Sequence, residues 1–203
     1  MKKKEKCDYL DKVVSFVGAE FGDREPKIME DAWRRYRELL SENSNESKAV
    51  KMHTVDRIYP GIAMFDALTA NGVSRDDAAR FLNDYYKWRS VKMAKLVKRM
   101  AAFPGIYKVF PSIFTSMTRK MFGEAAGFKA KFYDVPKGEM RFDMLVCPYY
   151  EICKKYGCPE IVPGYCESDD ICYSDMHPKL EWGRTRTIGK GGDCCDFKLR
   201  VVK

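Results

Sequence analysis

The chain changes its hydrophobic period once, near Gly127. Ahead of that point apolar residues recur every three or four positions, and beyond it they alternate. Asp11–Phe21 predicts a short helix stopped by "GDREP", and Pro26–Leu40 predicts a second, with proline where a first turn tolerates it. The loop "SENSNES" (41–47) is made of turn and cap residues. A third helix over 48–71 is expected to kink at Pro60–Gly61. Ser74 N-caps a fourth, "SRDDAARFLNDYYKWRS", with Asp76 and Asp77 in the first turn where the helix dipole favours anions. A fifth covers roughly 104–122 and ends at Gly123.

After Gly127, "FKAKFY" sets Phe128, Ala130 and Phe132 against Lys129, Lys131 and Tyr133, and "MRFDMLVC" sets Met140, Phe142, Met144 and Val146 against Arg141 and Asp143. "VPKGE" between them supplies hairpin turn residues. Two short helices, "PYYEICKKYG" and "GYCESDDICYSD", precede two further strands, "KLEWGRTRTI" and "CCDFKLRVV". The fold class is α+β: a helical N-terminal half packed on a C-terminal antiparallel sheet of about four strands with two short inserted helices. Strand alternation separates the two adjacent cysteines. Cys195, Phe197, Leu199 and Val201 form the apolar face, while Cys194, Asp196, Lys198 and Arg200 form the polar one. Cys195 should therefore look inward, and Cys194 should lie nearer solvent or a covering loop. Arg184 and Arg186 should share one strand face with Trp182.

The 203 residues, 45% hydrophobic, are enough to bury a sizeable core. A helical region 1–125 and a cysteine-rich sheet region 126–203 are expected to form one compact domain. No apolar run approaches the ~18 residues a membrane span needs, so no membrane partner is expected. "MKKKEKCDYLDKVV" has a basic cluster without an apolar h-region, and a cytoplasmic location is expected. There the eight cysteines would stay reduced. The net charge of +8 lies largely in Met1–Lys12 and in "KWRSVKMAKLVKRM" (87–100). In the latter, Trp88, Val91, Leu96 and Met100 fall near one helical face, which reads as a bundle helix with a solvated basic side rather than a phosphate-binding surface. No nucleic-acid-binding signature accompanies it, and a nucleic-acid partner is not expected. Self-association is left open.

Taken in order, Cys147-Pro148, Cys166-x-x-Asp169 in "YCESDD", Arg184 in "LEWGRTRTIGKGGDCCDFKL" and Gly191…Cys195-Asp196-Phe197 resemble the L-2-amino-thiazoline-4-carboxylic acid hydrolase family, most clearly over about residues 127–200. The resemblance implies a small-molecule substrate, a cyclic amidine whose five-membered ring is opened on the route to L-cysteine. Its amidine-like carbon calls for a nucleophile and for an acid to serve the departing group. Cys195 or Cys166 suits thiolate attack, and Asp169 suits activation of water. Arg184 could hold the substrate carboxylate through a bidentate contact. Cys147 and Asp196 are further candidates for substrate binding. The glycines before Cys194 would let N–H groups approach developing negative charge.

Each residue also has a plainer reading. Buried free cysteines are common small apolar residues. Asp169 and Asp170 also read as solvated charges on a short helix, although either lies one helical turn from Cys166. Arginine–aromatic stacking explains Arg184, and Asp196 could bind backbone amides of the preceding turn. No metal or other cofactor is expected. C-x-x-C and H-E-x-x-H are absent, and Cys153-x4-Cys158 and Cys166-x5-Cys172 form no recognised zinc pair. The alternative is a three-thiolate corner of Cys147, Cys166 and Cys195 for zinc or an iron–sulfur centre, since all three come near strand or helix ends. It would belong to the alternative function, a non-catalytic small-molecule-binding or sensor domain, to which the four-vinyl-reductase-type domains bear a more distant resemblance. His177 in "DMHPKL" reads as a loop residue, and His53 could face either the core or a groove.

Overall fold

The computed structural model describes residues 6–203, so part of the basic cluster Met1–Lys12 lies outside the described residues. The described chain packs as two compact units. One takes the residues up to Tyr85 together with Ile152–Ile161, and the other takes Tyr86–Glu151 and Val162–Lys203. A mostly helical first half and a four-stranded antiparallel sheet near the C-terminus make the fold α+β, as the change of period predicts. None of the helices is long and apolar enough to cross a membrane, among the described residues.

In the first unit α1 (Asp8–Phe21), α2 (Glu25–Glu42), α3 (Lys48–His53) and α4 (Tyr59–Ala70) are followed by the start of α5 (Arg75–Ala101). Helix α2 packs on α4, and Leu10, Val13, Ile28, Leu39, Ile62 and Leu68 lose all contact with water. Ser74 caps α5 as predicted, with its hydroxyl accepting from the Asp77 N–H at 3.2 Å. The expected kink at Pro60–Gly61 is instead a π turn over Thr54–Ile58, just ahead of the proline. Pro60 has no N–H, and its ring would meet the Asp56 carbonyl in a regular helix. Widening the preceding turn avoids that clash. It leaves the Val55 carbonyl facing Pro60 in the π pattern, and the Tyr36 hydroxyl donates to it at 3.1 Å. His53, at the end of α3, is buried.

The second unit holds the rest of α5, then α6 (Ile106–Met121), β1 (Lys129–Phe132), β2 (Glu139–Val146), the start of α7 (Pro148–Lys155), α8 (Val162–Tyr173), β3 (Leu180–Gly183) and β4 (Cys195–Val201). The strands are ordered β1-β2-β4-β3, all antiparallel, with Met144 opposite Cys195 and Phe142 opposite Phe197. The alternation holds along β2 and from Phe197 onward in β4, whereas Asp196 on the polar face is buried as well. Met140, Phe142, Met144, Cys195, Phe197 and Leu199 are buried, while Lys198 and Arg200 are exposed. Helix α6 covers β2 and β4. Phe132, Phe142, Phe197 and Trp182 make an aromatic row across all four strands, with centroids 5.1, 4.7 and 5.6 Å apart.

Two expectations are corrected in this unit. The strand predicted over "KLEWGRTRTI" ends at Gly183, because Asp196 on β4 draws the following residues out of the ladder. The apolar positions of "KWRSVKMAKLVKRM" do not pack as a bundle face. Trp88, Val91, Leu96 and Met100 stay exposed, and Ser90 and Val97 are the buried residues of this stretch.

Candidate active site

Helix α8 carries Cys166, Asp169 and Asp170 within one turn, as their spacing requires. Arg184 stands just past the end of β3, and its side chain is only 2% exposed. Its guanidinium donates from Nη1 to Asp169 Oδ2 at 3.2 Å and from Nη2 to Asp170 Oδ2 at 2.6 Å. Nη2 also reaches the Cys166 carbonyl at 2.5 Å, and the group lies over the Phe197 ring at 5.0 Å. Asp170 is held from a second side by Trp182 Nε1, 3.0 Å from Oδ1. One buried cation is thus shared by two carboxylates, the arrangement that lets a charge leave water. The bidentate substrate contact expected of Arg184 would use donors that are engaged here, and Nε alone lacks a partner.

Asp196 sets the course of the chain after Arg184. Its Oδ1 accepts from the N–H groups of Thr185 and Arg186 at 2.8 and 2.7 Å, and its Oδ2 accepts from the Thr185 hydroxyl at 2.6 Å. Burial alone would raise its pKa, but these hydrogen bonds outweigh it and hold the carboxyl below the usual range. The carboxylate is committed to the turn, the role weighed against substrate binding from sequence.

That turn delivers polar groups to two thiols. The Ile188 N–H donates to Cys195 Sγ at 3.3 Å. Gly189 passes so close to α8 that a Cβ there would sit 2.9 Å from Cys166 Sγ and 2.8 Å from Val162 Cγ1. Only glycine fits, and the Gly189 N–H can then serve the Cys166 thiol. The Thr187 hydroxyl lies beside the same thiol, is buried, and has no well-formed hydrogen bond of its own. Cys147, at the junction of β2 and α7, is near enough for its charge to interact with both Cys195 and Cys166.

The three thiols differ in how easily they ionise. Burial pushes Cys147 up to about 12, eased by the Tyr150 N–H and worsened by the neighbouring thiols. Burial also pushes Cys195 up to about 11, against the Ile188 N–H and Arg184. Cys166 is raised by burial too, but Arg184, Thr187 and the Gly189 N–H all favour its thiolate, and only Asp169 among its named neighbours opposes it. It is also only half-buried, whereas Cys195 is buried.

Cys147, Cys166, Asp169, Arg184 and Cys195 therefore converge, while the Asp196 carboxylate is turned to the backbone. Cys194 is buried, which leaves only the covered position of the two expected for it. Arg186 does not share a face with Arg184; it is exposed and pairs with Asp193 at 2.7 Å. His177 is a loop residue whose Nδ1 accepts from the Lys179 N–H at 3.0 Å and whose ring stacks on Tyr107. Among the described residues no group of three or more His, Cys, Asp and Glu side chains has an arrangement that could hold a metal ion. Thr187 and Gly189 were not foreseen. Their only signal was the threonine-glycine composition of "RTIGKGG", which marks a turn but not what it approaches.

A crystal structure of an H-NOX protein from S. oneidensis in the Fe(II)NO ligation state is 11% identical to the chain, with a TM-score of 0.35 over 98% of this chain and 100% of that one. An NMR structure of an H-NOX domain from Shewanella oneidensis in the Fe(II)CO ligation state is 12% identical, with a TM-score of 0.36 over 97% of this chain and 98% of that one. At these scores the likeness establishes no common fold. No curated protein matches the chain significantly. The model of one family, described as L-2-amino-thiazoline-4-carboxylic acid hydrolase, matches residues 51–199, well over half of the sequence and all of the thiol cluster. By that match the chain belongs to the L-2-amino-thiazoline-4-carboxylic acid hydrolase family.

Proposed function

We propose that the protein is a hydrolase that opens a small cyclic amidine such as L-2-amino-thiazoline-4-carboxylate, with Cys166 as its nucleophile. The observation that carries this reading is the set of groups around Cys166: a cation, a hydroxyl and an N–H on one thiol, within the region the family model covers. Attack by the Cys166 thiolate forms a C–S bond at the amidine carbon and moves the C=N electron pair onto nitrogen, which takes a proton. Collapse then breaks one ring bond at that carbon. Water, deprotonated by Asp169, releases the adduct and returns the thiol.

Cys195, held as a neutral thiol, supplies a weak donor beside the reacting carbon. Arg184 positions Cys166 and Asp169, with Nε–H left to meet the substrate carboxylate. Cys147 lines the same site, and Asp196 acts through the turn it holds. The route uses thiol, carboxylate and water alone, and a cytoplasmic setting would keep the thiols reduced.

The test is turnover of L-2-amino-thiazoline-4-carboxylate by the purified protein, followed as released product across pH. Because the Cys166 pKa lies above that of a free thiol, the thiolate fraction grows with pH. kcat/KM should still be climbing above about pH 8.5, where an unperturbed thiol is half ionised. A profile flat from pH 6 to 9 would remove thiolate attack from the mechanism, and no turnover at any pH would remove this substrate.

A further inference from the structure

Between Asp84 and Glu124 the chain carries nine lysines and arginines and no acidic residue. In the second unit this stretch forms the later part of α5, a four-residue turn and α6. Along α5, Met93, Leu96 and Met100 recur at helical spacing and are each half or more exposed, and Phe103 in the turn is 65% exposed. Along α6, Val109, Ile113 and Met117 repeat every fourth residue and are likewise exposed. Val97, Ala101 and Phe110, which lie beside these stripes on their helices, are buried. Each helix thus has an apolar arc wider than the fold covers, with one edge buried and the rest left in water. Scattered apolar residues on a surface need no explanation, but two periodic stripes joined through an exposed phenylalanine do. Lys92, Lys95, Arg99 and Lys108 are exposed among them.

We propose that this helix–turn–helix segment docks on an anionic membrane surface, with Met93, Leu96, Met100, Phe103 and the α6 stripe entering the interface and the flanking lysines and arginines meeting lipid phosphates. Aliphatic and phenylalanine side chains interleaved with cations, without acids, are the composition of an interfacial amphipathic segment. A second copy of the chain would set this cationic stretch against itself. Nucleic acid would meet the cations but offers no apolar layer to cover methionine, leucine and isoleucine.

The experiment is co-sedimentation of the full chain with vesicles of phosphatidylcholine containing phosphatidylglycerol, against vesicles of phosphatidylcholine alone. Partitioning should favour the anionic vesicles at least tenfold and weaken as salt rises. It should fall at least tenfold in the variant Leu96→Asp with Phe103→Asp, and also in Lys92→Glu with Lys95→Glu, which keeps the apolar stripe. All four positions are exposed, and unchanged far-ultraviolet circular dichroism separates lost docking from lost folding. Equal partitioning on neutral vesicles, or anionic binding that survives both variants, overturns the proposal. So does absence of vesicle binding, whether or not the chain self-associates through Leu96 and Phe103 in light scattering or is retained on duplex DNA.

Discussion

Replacing Cys166 with serine is expected to cut thiazoline turnover by at least about 10³-fold, the scale on which a lost nucleophile registers. Serine keeps the shape and can still accept from the Gly189 N–H, so the fold should survive. The hydroxyl is far harder to ionise, and Arg184 with Thr187 cannot make up that difference. Cys195→Ser should do much less, on the order of tenfold. Cys195 is more deeply buried, and the surrounding turn offers its sulfur the Ile188 N–H. Steady-state kinetics on the two variants checks the order, and the reverse order would move the nucleophile to Cys195.

Asparagine at both Asp169 and Asp170 should destabilise the protein by about 3–5 kcal/mol, the range for a buried charge left without its partners. Arg184, 2% exposed, would keep its positive charge with no anion beside it, only neutral acceptors such as the Cys166 carbonyl and the asparagine amides, and the Phe197 ring. The converse change, Arg184→Met, should cost only about 1 kcal/mol. Each carboxylate is 43% exposed and can be solvated by water, and the methionine chain can lie on the Phe197 ring. Equilibrium urea unfolding of the two variants measures the asymmetry. Equal losses would mean that the cation and the carboxylates are desolvated alike.

Much of this site was legible because it follows periodicity. The alternation of β4 separates Cys195 from Cys194, and the three- and four-residue spacing on α8 places Asp169 and Asp170 beside Cys166. The partners were not legible where the chain leaves a regular element. Arg184 and Arg186 would share a face only if β3 continued, and Asp196 ends it by capturing the next two amides. Thr187 and Gly189 reach Cys166 through a turn, where position depends on contacts made elsewhere. The α5 stripe shows a further limit. Period identifies which positions are apolar, but not whether anything in the chain covers them.

Timed iodoacetamide labelling of the native protein with peptide mass mapping, with and without L-2-amino-thiazoline-4-carboxylate, tests whether Cys166 is the reactive thiol of a substrate site. Cys166 should be labelled before Cys147 and Cys195, and the thiazoline should slow that labelling. Earlier labelling of Cys147 or Cys195, or a Cys166 rate that the thiazoline leaves unchanged, would contradict that role.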